Sequence, residues 1–563
     1  MLERFLPRIE FDSYEDFKAN YKVNPPKDFN FAYDIVDAWA KEEPEKRALL
    51  WCNDHDEERT FTFTDISKMS NQVANMFKSR GLKKGDVVML ILRRRWEYWV
   101  AATGLMKLGV IIVPGTLQLT KKDIAYRANA AHIKAFICVD DAYVMEQMEL
   151  ARPEAPCVES VFVVDNKERE GWINFNAEIA KYPDTFERPT DDQRTVGTDL
   201  MQIYFTSGTT GMPKMVCHNY FHPLGHIVTA HYWQRVQENK LHMSVSDSGW
   251  AKFGWGKIYG QWICGATIFC YDMDKFHANN LLAKIEKYRL TTFCAPPTMY
   301  RFMLQEKVED YDLSSVEHWA TAGEALNPEV FNRWEELTGK KIASGFGQTE
   351  GTVLIANFEW FESKPGTLGK PSPIYDLRLI DKDGQECENG EEGEIVICDV
   401  INNPPIGLFV GYYKDKELTD EAMGSGNYNL KDVAWRDNDG YYWFVGRHDD
   451  VIKCSGYRIG PFEVESALIE HPAVVECAIT AAPDPIRGQV VKARIVLAEG
   501  YTPSEELTKE LQNHVKHATA PYKYPRIVEY VKELPKTLGG KIKRKELREE
   551  DERMYAEQNK NQS

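Results

Sequence analysis

Three observations predict an α/β protein of more than one unit. Apolar runs alternate with helical periodicity through residues 60–140, a glycine- and hydroxyl-rich loop follows one such run near residue 205, and the texture changes near residue 375. The predicted architecture is a large N-terminal domain of βαβ sheets with helices, carrying a small antiparallel β subdomain, followed by a small α/β C-terminal domain. With 563 residues the chain exceeds a single core. The expected division is 1–448 and 449–563, with Gly446-Arg-His-Asp-Asp450 as boundary.

Thr64 to Phe77 has helical periodicity, with Thr64 as the expected N-cap. Asp86 to Leu92 reads as a buried strand, Arg95 to Leu108 as a helix and Val110 to Val113 as the next strand, which is parallel-sheet logic. Between 375 and 412, Leu377–Ile380 and Glu394–Ile397 read as hairpin strands separated by Asp-Gly and Asn-Gly turns. In the last segment Pro461 starts a helix running to Glu470. The strands Val474–Ile479 and Val490–Leu497 follow, then a helix from Ser504 to His517.

Composition bounds the function. Hydrophobic content of 43% with 12% aromatics is that of a globular protein. The net charge of −17 argues against general binding of nucleic acid or anionic membrane. No apolar run has transmembrane length and no signal pattern opens the chain. Eleven cysteines without C-x-x-C pairs read as reduced thiols, giving a cytoplasmic protein as the expectation. The chain could pair as a homodimer.

The loop Thr206, Ser207, Gly208, Thr209, Thr210, Gly211, Met212, Pro213 and Lys214 is built for phosphate. Its glycines admit close backbone approach, its hydroxyls donate and its lysine adds charge. It is not G-x-x-x-x-G-K-[ST], because Pro213 stands where that motif needs glycine. The bland alternative, a Ser/Thr-rich turn, needs no such density of hydroxyls. Ser344-Gly-Phe-Gly-Gln-Thr-Glu350 fails the dinucleotide pattern and offers amide, hydroxyl and carboxylate instead, suited to nucleotide phosphate and Mg²⁺. Asp432, the segment Gly446–Pro461 and the segment Pro535–Arg544 each pass singly as a solvated charged turn.

Together and in this order, the five motifs resemble the adenylate-forming superfamily of acyl-CoA synthetases, luciferases and nonribosomal adenylation domains, over nearly the whole chain. Gly407–Tyr413, Ala481–Gly488 and Thr519–Arg526 are most similar to the AMP-forming, medium-chain acyl-CoA synthetase branch. Trp250–Trp262 looks like an archaeal member acting on branched short acids. The resemblance implies a carboxylate–CoA ligase with ATP and CoA as co-substrates. A carboxylate attacks the α-phosphate of ATP to give acyl-AMP and pyrophosphate, and the CoA thiol then attacks the acyl carbon and releases AMP.

It also implies residue roles. Residues 206–214 hold the β- and γ-phosphates, Thr349 contacts the α-phosphate and Glu350 binds Mg²⁺. Gly323, Glu324 and Ala325 flank the adenine with Ser344, Gly345 and Phe346, and Gly347 and Gln348 complete the nucleotide set. Asp432 accepts the ribose hydroxyls, and Arg447 and Arg458 bind ribose and phosphate. Lys541 stabilises the transferring phosphoryl, and Lys453 is counted with it, Thr349 and Glu350 as catalytic. Asp449 is the hinge about which a mobile C-terminal domain turns between half-reactions. Ser455, Gly456 and Tyr457 then line the pantetheine tunnel, and Gln118, Arg487, Tyr524 and Arg526 meet the CoA nucleotide. Two positions depart from the family: Leu430-Lys431 replaces Thr-Gly before Asp432, and Gly539 replaces a serine.

Acetate-specific relatives place tryptophan where this chain has Gly347, so an acyl pocket extending beyond two carbons is expected, lined by Trp233, Trp250, Trp255 and Cys294. Trp262 reads as core, and Lys252 as either ligand or rim charge. His218, His222, His226 and His231 have metal-like spacing, but Pro223 and the lack of an acidic ligand favour a helix packed behind the phosphate loop. The acid is expected to be short to medium, branched or aromatic. The alternatives are an enzyme loading a separate acyl carrier protein and a non-catalytic nucleotide-binding member. No carrier domain follows residue 545, and retention of Glu350, Asp432, Lys453 and Lys541 disfavours the latter.

Overall fold

The computed structural model describes residues 1–164, 169–206, 212–454, 457–485, 487–536 and 542–562. The described strands form three sheets, of thirteen, eight and five strands. In the eight-stranded sheet Val87–Ile91, Ile111–Pro114, Ile133–Val139 and Ser160–Val164 run parallel. Their residues are almost wholly apolar and buried, as parallel strands covered on both faces require.

The helix after the first of these strands, Glu97–Leu108, is buried along its whole length and ends on Gly109 in the left-handed conformation. It packs on Phe63–Ser79, and Gly104 makes the closeness possible. A Cβ there would meet Val73 Cβ at 2.5 Å. The N-cap of Phe63–Ser79 is Thr62, in a reciprocal capping box with Asp65, rather than Thr64. Thr64 lies inside the first turn, and its hydroxyl donates to the Pro44 carbonyl at 2.8 Å.

In the thirteen-stranded sheet Thr292–Ala295, His318–Ala322 and Ile342–Phe346 run parallel, which places the segments following each of them at one edge. Ligands in open α/β sheets gather outside such carboxyl ends. The sheet turns antiparallel from Ile355–Ala356 onward and includes Leu377–Ile380, Glu392–Ile397, Tyr428–Arg436 and Tyr442–Arg447. The hairpin expected between 375 and 412 is the pair Leu377–Ile380 and Glu392–Ile397.

Sheet membership changes between Arg447 and Ile452. From there Ile452–Cys454, Tyr457–Ile459, Val474–Asp484, Gly488–Leu497 and Ile527–Tyr530 make the five-stranded sheet. Pro461–Ile469, Glu505–Ala518 with Ser504 as N-cap, and Arg544–Gln562 are its helices. All eleven cysteines are free thiols. Among the described residues no helix is long and apolar enough to cross a membrane.

Candidate active site

The strands Leu200–Thr206 and Lys214–Asn219 are antiparallel, and Thr206 pairs with Lys214. The phosphate-type loop is therefore the closure of a hairpin, its two ends fixed side by side. Ser207, Gly208, Thr209, Thr210 and Gly211 lie outside the described residues. Pro213 accepts a hydrogen bond from the Tyr126 hydroxyl at 3.4 Å, and the Lys214 ammonium lies 5.3 Å from the Tyr412 ring centre.

Glu350 stands opposite. The Tyr412 hydroxyl donates to it at 3.4 Å, and its own carbonyl accepts from Phe409 N at 2.7 Å. Loss of solvent around it raises its carboxyl above the usual range, an effect only partly offset by Lys214 and Arg447. Such a carboxylate, short of cationic partners and beside a phosphate-type loop, has the donor chemistry of a site for one hard cation that keeps its other ligands from phosphate and water.

Asp432 and Arg447 are cross-strand partners on Tyr428–Arg436 and Tyr442–Arg447. The aspartate is only 4% exposed. A buried carboxylate must be paired, and here Gln348 Nε2 donates to it at 2.5 Å while Arg447 lies 3.6 Å away. Gln348 Nε2 also donates to the Leu430 carbonyl at 2.8 Å, and its Oε1 accepts from the Tyr428 hydroxyl at 3.2 Å. The amide is thereby locked in one orientation. Tyr428 is pushed far above its usual range by burial first, then by Glu350, Tyr412 and Asp432. The two motifs thus share one electrostatic field.

Lys431, which stands where the family has glycine, has φ of 61°. The backbone keeps the left-handed turn and the side chain bears its strain. Lys431 N donates to Asn429 Oδ1 at 2.7 Å and its carbonyl accepts from His448 N at 2.9 Å.

The segments expected to flank adenine follow adjacent parallel strands, with Ala322 paired to Gly345. Ser344 N donates to Asn357 Oδ1 at 2.8 Å, and Glu324 accepts from the Thr298 hydroxyl at 2.9 Å. Gly323 has φ of 107°.

His218, His222 and His226 form a buried column rather than a metal cluster. His218 Nε2 donates to the Thr349 carbonyl at 2.8 Å. His222 Nδ1 faces the Gly407 carbonyl at 3.1 Å and so carries the proton, which makes its Nε2 the acceptor from His226 Nε2 at 3.1 Å. His226 Nδ1 then accepts from the Thr229 hydroxyl at 3.1 Å. Burial keeps all three neutral: His218 falls to about 4, His226 to about 3 and His222 well below its ordinary value. His231 packs edge-on to Tyr232 instead. The i, i+4 spacing was visible in the sequence. The partner at Thr349, more than a hundred residues away, was not.

The expected acyl pocket contains Trp233, Trp255, Cys294 and Gly347 close together, but its shape differs from expectation. A Cβ at Gly347 would come within 2.3 Å of Trp255 Cη2, and one at Gly345 within 2.3 Å of Trp233 Cζ2. Trp255 therefore fills the space that the missing side chain at 347 was expected to open. The two indoles meet edge to face at 6.3 Å, and Trp233 Nε1 donates to the Ala343 carbonyl at 3.3 Å. Behind them lies a polar layer that the sequence did not reveal. Gln261 Nε2 donates to the Trp255 carbonyl at 2.9 Å and to Gln234 Oε1 at 2.7 Å, and Gln234 and Ser244 side chains reach the Cys294 thiol. Lys252 donates to the Ala322 carbonyl at 2.6 Å, next to Gly323. Trp250 is the residue before Ala251–Gly256 and is half-buried. Trp262 is core, stacked on Phe31 and donating to the Ala48 carbonyl at 2.9 Å.

On the five-stranded sheet Lys453 pairs across strands with Arg458, whose guanidinium lies 3.9 Å from Glu392 rather than beside Asp432. Tyr457 is half-exposed and stacks on Tyr522 at 4.1 Å. The Tyr524 hydroxyl accepts from Arg526 Nη1 at 2.7 Å. Arg487 N donates to Asp484 at 2.7 Å, and Gln118 is exposed on the loop after Ile111–Pro114. Ser455, Gly456 and Lys541 lie outside the described residues. Arg544 donates to Glu465 at 2.8 and 2.7 Å, and on the same helix as Glu465 the Ser466 hydroxyl accepts from Asn327 Nδ2 at 3.1 Å, close in sequence to the segment expected to flank adenine.

Fold and site define a nucleotide-dependent ligase, and the comparisons with known proteins agree. The AMP-binding enzyme family matches residues 36–413, and the AMP-binding enzyme C-terminal domain matches 463–541. The mitochondrial acyl-coenzyme A synthetase ACSM3 of Mus musculus is 40% identical over 550 residues, covering 96% of this chain and 94% of its own. ACSM4 of Rattus norvegicus, also mitochondrial, is 41% identical over 551 residues, covering 95% and 93%. Among solved structures, the anthranilate CoA ligase AuaEII in complex with anthranoyl-AMP superposes with a TM-score of 0.86 at 30% identity, covering 94% of this chain and 99% of that one.

The chain belongs to the AMP-binding enzyme family. It is an acyl-CoA synthetase, a carboxylate–CoA ligase that uses ATP and CoA as substrates. The expectation of a cytoplasmic protein is overturned by these relatives, which are mitochondrial. Its basis was reduced cysteines, and these mark any reducing compartment alike.

Proposed function

We propose that this synthetase activates a short, branched carboxylic acid, with the roles divided as follows. Residues 206–214 hold the β- and γ-phosphates, and Thr349 meets the α-phosphate. Asp432, already oriented by Gln348 and Arg447, takes the ribose hydroxyls. Gly323–Ala325 and Ser344–Phe346 sandwich the adenine. Glu350 would hold Mg²⁺, which when bound supplies charge neutralisation at the phosphate oxygens. Lys541 stabilises the α-phosphoryl as the carboxylate displaces pyrophosphate.

The second half-reaction needs the same side of the acyl phosphate for the CoA thiol. We assign the reorientation to Asp449, between units 1–448 and 449–563, which brings Ser455, Gly456 and Tyr457 to the acyl carbon and Arg526 and Tyr524 to the CoA nucleotide. The observation that carries the nucleotide assignment is the convergence of Lys214, Asp432 and Arg447 from three separate strands, with Glu350 from the turn after Ile342–Phe346, into one field.

The acid class rests on Trp255. Its ring lies where a side chain at 347 would stand, and Trp233 where one at 345 would, so the two indoles take up space that a long straight acyl chain would need. One methylene is worth about 10–200-fold in an apolar pocket. ATP–pyrophosphate exchange across straight acids from acetate to decanoate, with branched and aromatic acids, tests this. The highest exchange is expected with short branched acids, falling steeply by octanoate. Highest exchange with octanoate or longer acids contradicts this acid class, and exchange with none contradicts the assignment of the site.

A further inference from the structure

A run of alternating charges crosses the segment between the two sheets. Arg447 lies 3.6 Å from Asp432 and 4.0 Å from Asp449. Arg548 donates to the other oxygen of Asp449 at 3.2 Å and also pairs with Asp450. Arg548 belongs to the C-terminal helix Arg544–Gln562, whose inward face is docked at three points. Arg544 grips Glu465, Arg548 grips the two aspartates, and Asp551 meets Lys492 at 2.6 Å and Arg494 at 2.7 Å. Leu547 is buried between them.

We propose that Arg548 is a positioning residue for the adenylation half-reaction, acting by tying Asp449 to the C-terminal helix in the orientation seen here. The proposal rests on the reading of Asp449 as hinge. The Asp449 carboxylate bridges an arginine of the thirteen-stranded sheet and an arginine of the C-terminal unit. Rotation of one unit against the other about residue 449 carries Arg447 and Arg548 apart, so the carboxylate cannot keep both. The bridge therefore stabilises one orientation only. In that orientation Asn327, two residues after the Gly323–Ala325 segment, donates to the Ser466 hydroxyl at 3.1 Å, on the helix Pro461–Ile469 whose Glu465 Arg544 grips. Arginine is suited to the task, because its fork reaches two carboxylates at once where an ammonium is a point charge. Asp449 is more than half exposed, so the tie is weak enough to be exchanged in each cycle.

The test measures both half-reactions in the full chain. Arg548→Ala is expected to slow ATP–pyrophosphate exchange about fivefold, the upper end for an exposed pair. Thioester formation from pre-made acyl-AMP and CoA is expected to hold or rise. Arg548→Lys is expected to recover part of the exchange rate. Asp449→Asn with Arg548→Ala is expected to lose less than the two single losses combined, since both remove the Arg548–Asp449 contact and each removes only one more, to Arg447 or to Asp450. Equal loss in both half-reactions with a matching drop in melting temperature overturns the proposal by making Arg548 merely structural, and no change in either half-reaction overturns it directly. Lys541→Ala, run alongside, keeps the two layers apart. If that variant loses both half-reactions equally, the two-orientation reading itself fails and the proposal falls with it. If it splits them and Arg548→Ala does not, only the proposal falls.

Discussion

On the thirteen-stranded side of the site the key groups are held by buried, uncharged donors. Gln348 fixes Asp432, and neutral His218, reaching in from the eight-stranded sheet, fixes the Thr349 carbonyl from behind. On the five-stranded side they are held by half-exposed ion pairs and stacked rings: Arg458 near Glu392, Arg548 on Asp449, Tyr457 on Tyr522. Buried networks are expensive to break and rigid, whereas exposed ion pairs are worth a fraction of a kcal/mol and exchange readily. The difference suits the proposed division of labour, with one side as a fixed nucleotide cradle and the other letting go and re-docking.

The contrast can be broken most sharply at the cradle. Asp432→Ala removes one of the two acceptors of the Gln348 amide and the nearer carboxylate of Arg447, and removing a charged hydrogen-bonded group costs about 2–3 kcal/mol. ATP affinity is expected to fall on the order of a hundredfold, measured by calorimetry. Unchanged affinity would remove Asp432 from the ribose site.

Next in size is the indole wall. Gly347→Trp would collide with Trp255 and with the Thr352 carbonyl, 2.6 Å from a Cβ at that position. It is expected to lower the melting temperature and to abolish exchange with every acid. Trp255→Gly alone is expected to extend the accepted acids by two or more carbons. If Trp255→Gly leaves the chain-length profile unchanged, Trp255 does not limit the acyl chain.

The histidine column predicts a pH dependence. His218 and His226 titrate in the folded chain near 4 and 3, below their usual range near 6.5. A depressed folded pKa gives stability that is complete above the unfolded value and is lost as pH falls toward the folded one. Between about pH 6.5 and 4, stability should therefore drop by about 1.4 kcal/mol per pH unit per histidine. Denaturation midpoints at pH 7 and pH 5 measure this, and His226→Gln should flatten the slope. The smallest effect belongs to Lys431→Gly. It relieves a left-handed backbone costing about 1–2 kcal/mol but loosens the unfolded chain by up to about 1 kcal/mol. A gain of roughly 0.5 kcal/mol is expected, with ATP affinity unchanged.

The α/β class and the order of the motifs were legible because each depends on local pattern. The phosphate-type loop was singled out by composition, while the antiparallel pairing of its flanks was not foreseen, since an apolar run before a loop does not announce the direction of the strand after it. Thr62, not Thr64, caps Phe63–Ser79, because the capping box with Asp65 begins one residue before the apolar periodicity. Gly347 was read as open space because a glycine shows what is absent from its own position. What fills that space comes from residue 255, and only tertiary packing places it there. The histidines were read as a packed helix rather than a metal site, and the fold differs in placing His218 on the strand Lys214–Asn219, with His222 and His226 on the helix that follows.

Splitting the half-reactions of Lys541→Ala tests the division of labour most directly. Acyl-adenylate formation is expected to fall by about a thousandfold, as for loss of a transition-state charge donor, while thioester formation from pre-made acyl-AMP stays within about twofold of the parent. Equal loss of both would contradict an account in which a fixed cradle serves two orientations of the C-terminal unit.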